Sequence, residues 1–443
     1  MEKKLRETRE PGLLGLFRLT ENQSTVRTEV LAGITTFVTM AYVLGTVPNI
    51  MANAGMERGN VLSSMILLTI LTTVAMSIVT NRPFALAPGL GSVAVVSGMI
   101  AQEGVPVSVA CGVIFWSGIL FVLISFLGIR DAVISAIPRS LKQSVSAGVG
   151  LFIALLGCRN ASLIVAREGK NCLGFGNLMS PSVLLCFIGF LLIIVMKMLK
   201  IPGYMIFSIL LTTLIGIPLG ITKVPETWIS LPQNPFADFG QLDIRGALHP
   251  QYFPFLIALF VPDFFSTFGT ALGVGGKAGY LDEKGNLPGI DRVFKVDATA
   301  TVAGSLFGIP CMTTYLESSA GIEAGGRTGL TTLTTSFCFA LAFFFTPIAL
   351  MIPSAATAPA LIVIGVGMLS SMEKINYQDF TECFPAFLCI AFTIFANNIA
   401  NGICVAIPSF VVMKLASKKA REIPPAMYIM TVVCFLYFYS IMK

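Results

Sequence analysis

The chain has 443 residues, 55% hydrophobic and 12% charged, with a formal net charge of +6 and a mean hydropathy of +0.83. Soluble domains carry roughly 25% charged residues, so this is a polytopic membrane protein with little length left for a soluble domain. The basic excess sits in short connections without interleaved aromatic residues, which points to lipid head groups and away from nucleic acid.

The first ten residues, MEKKLRETRE, are polar and precede an apolar run long enough to stay in the membrane, so no cleavable signal peptide is expected. Residues 1–27 form a cytoplasmic N-terminal segment. Apolar runs that suit membrane spans follow at 28–50, 60–80, 84–102, 107–128, 140–157, 181–199 and 203–221. A polar, proline-rich connection covers 222–249. Further runs lie at 250–275, 292–309, 311–326, 328–351, 357–371, 384–398 and 399–415. Two halves with an odd number of spans must sit in the membrane with opposite orientation, as inverted repeats do. The expected fold is therefore an all-α polytopic membrane protein of about 14 spans, with repeats at 28–221 and 250–415. Residues 416–443 hold a basic loop and an apolar segment from Ala426 to Met442, which is either a further span or an interfacial helix.

Charge supports this topology. Lys3, Lys4, Arg6, Arg9 and Arg18 place the N-terminus inside, and Lys414, Lys418, Lys419 and Arg421 mark the same side after the last repeat span. Arg159, Arg167, Lys170, Lys223 and Arg245 fall on the other side and weaken the bias.

Two segments at matching places are not ordinary spans. Pro83–Gly98 (PFALAPGLGSVAVVSG) and Gly308–Gly326 (GIPCMTTYLESSAGIEAGG) each open with Pro and Gly and continue with residues that favour extended chain. Non-helical backbone at bilayer depth is tolerated only where protein or a cavity covers it. Each is expected to be a short strand leading into a half-helix, and a matched pair marks a transporter's substrate site.

Three acids lie in apolar sequence: Asp263, Asp297 and Glu317. A charge at bilayer depth costs at least about 2.5–3.5 kcal/mol, so it faces a partner or a water-filled cavity. Thr313, Thr314, Ser318 and Ser319 around Glu317 leave room for a ligand, although small polar residues also line helix contacts. Glu323 and Arg327, four residues apart, read as an ion pair. A phosphate loop, a nucleophile–base pair and a zinc motif are all missing, so neither ATP-driven transport nor an enzyme is indicated. His249 is the single histidine and the ten cysteines lack CxxC spacing, so no metal or cofactor is expected.

PFALAPGLG, IPRSLKQSVSAGVGLFIALLG, FGTALGVGGKAGYLDEKGNLP and TTYLESSAGIEAGGRTGL resemble the azaguanine-resistance branch of the nucleobase–ascorbate (xanthine/uracil) permeases. The resemblance covers nearly the whole chain, from Thr28 to the end. It implies a core domain (spans 1–4 and 8–11) and a gate domain (spans 5–7 and 12–14), a homodimer in the cell membrane, and proton-coupled uptake of purine bases. It also implies that acids of the eighth and tenth spans, Asp263 and Glu317 here, hold the base. The chain departs from the family at two positions: Ser266 stands where a second acid is usual, and Val93 where an asparagine is usual.

The function expected is secondary transport of a purine-type nucleobase or close analogue by a core-against-gate movement. The alternative is an anion transporter of the same architecture, which two acids in the site disfavour. Glu317 would accept ring N–H groups, and main-chain N–H groups near Gly91, Ser92, Ser318 and Ser319 would meet carbonyl oxygens. Phe264, Phe265 or Tyr315 would stack on the ring. Asp263, Glu317 or Asp297 would carry the coupling proton, since burial favours the neutral form of a carboxyl.

Overall fold

The computed structural model describes residues 16–127, 138–166, 173–230, 233–282, 287–396 and 399–441. Helix α1 (Val26–Met40) starts at Thr25, whose hydroxyl accepts the Thr28 N–H at 3.2 Å. It breaks at Ala41–Tyr42 before α2 (Val43–Ala52), and the two together make one span-length run. Helix α3 (Arg58–Thr80) ends at Asn81, which takes the left-handed conformation (φ 50°) that asparagine tolerates. The Asn81 amide then donates to the Phe17 carbonyl at 3.0 Å and accepts from the Gly329 N–H at 2.9 Å. One turn residue thus ties the N-terminal segment to the second half.

The first half continues with β1 (Leu86–Pro88), α4 (Leu90–Ala101), α5 (Val107–Leu127) and α6 (Arg139–Asn160). A small antiparallel pair, β2 (Ile164–Ala166) with β3 (Leu173–Phe175), follows. Then come α7 (Pro181–Met198) and α8 (Tyr204–Ile215). The second half runs α9 (Phe253–Lys277), α10 (Ile290–Leu306), β4 (Met312–Thr314), α11 (Ser318–Glu323), α12 (Gly329–Ala342), α13 (Thr346–Leu350), α14 (Ser354–Met368), α15 (Phe380–Phe395) and α16 (Ile399–Ala416). Among the described residues, seven helices are long and apolar enough to cross a bilayer, with shorter apolar helices between them.

The broken segments form as the sequence suggests, and they meet. Strands β1 and β4 pair antiparallel, with Leu86 opposite Thr314, Ala87 opposite Thr313 and Pro88 opposite Met312. Gly89 N–H to Cys311 O and Tyr315 N–H to Ala85 O, both 2.9 Å, extend the ladder at either end. Thr73 on α3 caps its outer edge, its hydroxyl bonding both N–H and C=O of Leu86 at 3.1 Å. The ribbon's backbone is thereby satisfied away from water, the condition for extended chain at this depth.

The helices pack in two groups, and the ribbon lies against α2, α3, α9 and α10. In one, α12 packs on α1 and α3, and α10 packs on α5 and α3. In the other, α6 packs along α14 and α15, α15 along α16, and α7 against α8 and α14. The connection 222–249 lies over the first group: Asp243 N–H reaches Ser108 O at 2.8 Å, Gly240 N–H reaches Leu306 O at 2.8 Å, and Trp116 donates to Ile244 O at 2.9 Å. The terminal apolar segment forms α17 (Pro425–Ile441), which packs along α16 and against residues 250–252 at the start of α9.

Candidate functional site

The three predicted acids gather around the ribbon. Asp263, one residue after Pro262 within α9, is 3% exposed. Its Oδ2 accepts from the Thr301 hydroxyl at 3.1 Å, and the same hydroxyl lies 3.0 Å from the Met312 carbonyl of β4. Its Oδ1 has no hydrogen-bond partner among the described residues. A buried carboxylate oxygen without a donor is costly, and it is the kind of group a ligand completes. Asp297 on α10 is fully buried, accepting from Thr267 at 2.7 Å and Thr314 at 2.9 Å. Thr267 and Thr313, 3.1 Å apart, join the surroundings of the two aspartates.

Glu317 follows the ribbon directly, at the entry to α11. It is half-buried, and Oε1 accepts from the Tyr42 hydroxyl at 2.7 Å. Tyr42 was not among the sequence candidates. It lies at the α1–α2 break, which turns its buried side chain toward the second half.

Several predicted roles are corrected by these contacts. The Ser318 and Ser319 N–H groups bond back to Tyr315 O (3.2 Å) and Leu316 O (2.9 Å), so they do not face a ligand. The Ser318 hydroxyl accepts from Ala85 N–H at 3.0 Å, joining the two broken segments. The Tyr315 hydroxyl donates to Pro88 O at 2.6 Å, so this side chain braces the ribbon. Phe264 packs among Phe121, Phe260 and Phe294 with ring centroids 5.2–5.5 Å away, an aromatic core in place of a stacking platform. The Phe265 side chain lies outside the described residues. Glu323 pairs with Lys277 at 2.6 Å, while the Arg327 guanidinium donates to the Ile322 and Gly326 carbonyls.

Gly91 and Ser92 stand in the first turn of α4, where N–H groups have no intrahelical partner. A Cβ on Gly91 would meet Val149 of α6 at 3.1 Å, so the glycine lets the two helix groups approach. Val93 is fully buried and apolar. Ser266 is exposed, on a stripe with Gly269 and Gly273 where an added Cβ would meet open space. Elsewhere, a groove of about 640 Å³ between α1, α3 and α12, lined by Val30, Ile70, Val74, Leu333 and Phe337, suits acyl chains better than a polar heterocycle.

A pair of broken segments crossing between two carboxylates is the construction of a membrane transport protein. The family model Xan_ur_permease, a permease family, matches residues 27–405, and the chain belongs to this family, the nucleobase–ascorbate transporters. It is 36% identical over 423 residues to the putative permease MJ0326 of Methanocaldococcus jannaschii, covering 95% of this chain and 97% of that protein. It is 36% identical to the adenine permease AdeP of Escherichia coli (95% and 94% covered) and to the guanine/hypoxanthine permease PbuO of Bacillus subtilis (95% and 99%). Among solved structures, the transmembrane domain of the cyanobacterial bicarbonate transporter BicA aligns with a TM-score of 0.61 at 15% identity, covering 85% of this chain and 97% of that one. Murine Slc26a9 in the inward-facing state aligns at 0.62 and 13% identity, covering 94% and 74%. These two likenesses concern the fold, a polytopic inverted-repeat transporter.

Proposed function

We propose that this permease is a secondary transporter that takes up a purine-type nucleobase or a close heterocyclic analogue together with protons. The observation that carries this is the pair of carboxylates flanking the β1–β4 ribbon: Asp263 Oδ1 is buried without a hydrogen-bond partner among the described residues, and Glu317 accepts the Tyr42 hydroxyl at Oε1. Glu317 would accept an N–H of the flat ring, and the first-turn N–H groups of α4 would meet a carbonyl oxygen. Asp263 would offer a second acceptor or hold the coupling proton, with Asp297 as its relay partner. An anion would meet like charge here, which disfavours the alternative substrate class. The names of the related adenine and guanine/hypoxanthine permeases support the purine reading.

Access would alternate by movement of a core (α1–α5, α9–α13 and both ribbon strands) against a gate (α6–α8 and α14–α16). The polar seam between the groups supports this. Arg58 donates to Ile352 O at 3.0 Å, Asn53 to Asn160 at 3.0 Å, and Asn49 to Ile352 O and Thr357 at 3.4 Å. Yet Arg58 Nε, Asn49 Oδ1 and Asn160 Nδ2 stay unpartnered among the described residues. Each such group costs about 1–3 kcal/mol when buried, so opening the seam to water is inexpensive.

The test is thermal stabilisation of the purified protein by a panel of purines, pyrimidines, xanthine and urate, followed by uptake of each hit across a pH gradient. Glu317→Gln and Asp263→Asn are expected to lower uptake at least tenfold, since a hydrogen bond to a charged group contributes about 1.5–3 kcal/mol. Stabilisation by an anion and by no base, or full proton-coupled uptake by Glu317→Gln, would overturn the assignment.

A further inference from the structure

Resting on the nucleobase assignment above, we propose that Tyr42 is a specificity-determining residue, because it decides how many donors of a heterocycle Glu317 can reward. A carboxylate recognises two adjacent N–H groups by giving one oxygen to each. Here Oε1 already accepts the Tyr42 hydroxyl at 2.7 Å. A second donor at that oxygen must share it with the short Tyr42 hydroxyl bond and so meets a weaker acceptor than at an oxygen without a donor.

The arrangement is fixed on both sides. Tyr42 is 3% exposed and held at the α1–α2 break, with the Thr46 hydroxyl donating to its carbonyl at 3.0 Å. Glu317 is tethered by the ribbon, and its own carbonyl accepts from Ala320 N–H at 3.0 Å. A tyrosine carries one hydroxyl hydrogen, and here it is engaged with the glutamate. Among the described residues no donor reaches Oε2, which makes it the stronger acceptor of the half-buried carboxylate. A base with a single donor on its N1/C2 edge, such as hypoxanthine with N1–H, is matched by that oxygen. Guanine offers N1–H and a 2-amino group side by side and gains little from the second donor.

The experiment measures competition by hypoxanthine and guanine against labelled hypoxanthine uptake, in wild type and Tyr42→Phe, with melting temperature and KM recorded for each. Phenylalanine keeps the ring and releases Oε1. The ratio of inhibition constants is expected to move about tenfold in favour of guanine, the scale of one added hydrogen bond to a charged group, while the KM for hypoxanthine changes much less. An unchanged ratio, or equal weakening of both bases, would make Tyr42 merely structural and overturn the proposal. If Tyr42→Phe does not fold, the wild type decides: comparable affinities support the proposal, and guanine binding more than tenfold tighter overturns it. Stabilisation by no base at all would instead overturn the nucleobase assignment, which keeps the two failures apart.

Discussion

Glu29 shows what a buried carboxylate looks like when the protein completes it. Oε1 accepts from Arg327 N–H at 2.9 Å, and Oε2 accepts from the N–H groups of Thr328 and Thr331 at 3.2 Å and from the Thr331 hydroxyl. The side chain is fully buried on α1 and caps the start of α12, where helix N–H groups need acceptors. Glu29→Gln puts an amide donor against these donors and is expected to cost on the order of 3 kcal/mol, read as a lower unfolding temperature in detergent with substrate affinity retained. Asp263, Asp297 and Glu317 are legible in sequence because a charge in an apolar run demands a reason. Tyr42 and Glu29 are not: a tyrosine in an apolar run and a glutamate at a span's edge are ordinary until a distant partner is seen. Phe264 and Tyr315 are misread for a related reason, since sequence cannot separate a stacking ring from a packing or bracing one. The N–H groups of Ser318 and Ser319 are misread because the local turns that lead into α11 close on Tyr315 and Leu316.

At the scale of elements, the broken spans announce themselves through proline, glycine and residues that prefer extended chain. Their pairing does not, because register between Leu86 and Thr314 is a contact across more than half the chain. The α6–α14 crossing is hidden in a similar way. An added Cβ on Gly150 would stand 2.6 Å from Met368 Cβ and 2.8 Å from Gly365 O, so the two helices touch backbone to backbone. Gly150→Val is expected to force them apart and to destabilise the protein by more than about 2 kcal/mol, an overpacking effect. Thermal unfolding would show it, and a variant as stable as wild type would contradict the close approach. In sequence Gly150 is one of 41 glycines, and nothing local distinguishes it. The apolar segment after residue 425 is legible as a helix, whereas its place beside α16 and the start of α9 requires the packed structure.

For the molecule as a whole, the order of elements repeats: the strand and half-helix stand third among the expected spans of each half. That order is readable from hydropathy, and the family resemblance adds the substrate class. The connection 222–249 reads as a polar spacer but is bound to the ends of α3, α5 and α10, with Ser64 donating to Pro235 O at 2.8 Å. Its polar side chains suggest a free linker, and only its main-chain partners show otherwise.

The ribbon has a consequence for how the protein could be divided. Each half supplies one strand, and a single strand at bilayer depth leaves its N–H and C=O groups unmatched. Neither half can therefore build the proposed ligand site alone, even if its helices insert correctly. When the gene is split within codons 222–249, each fragment expressed separately should bind no base, and co-expression should restore binding measured by thermal stabilisation. Binding by either fragment alone would show that the site does not need the strand of the other. The ribbon thus acts as a handshake between two polypeptides that happen to be fused.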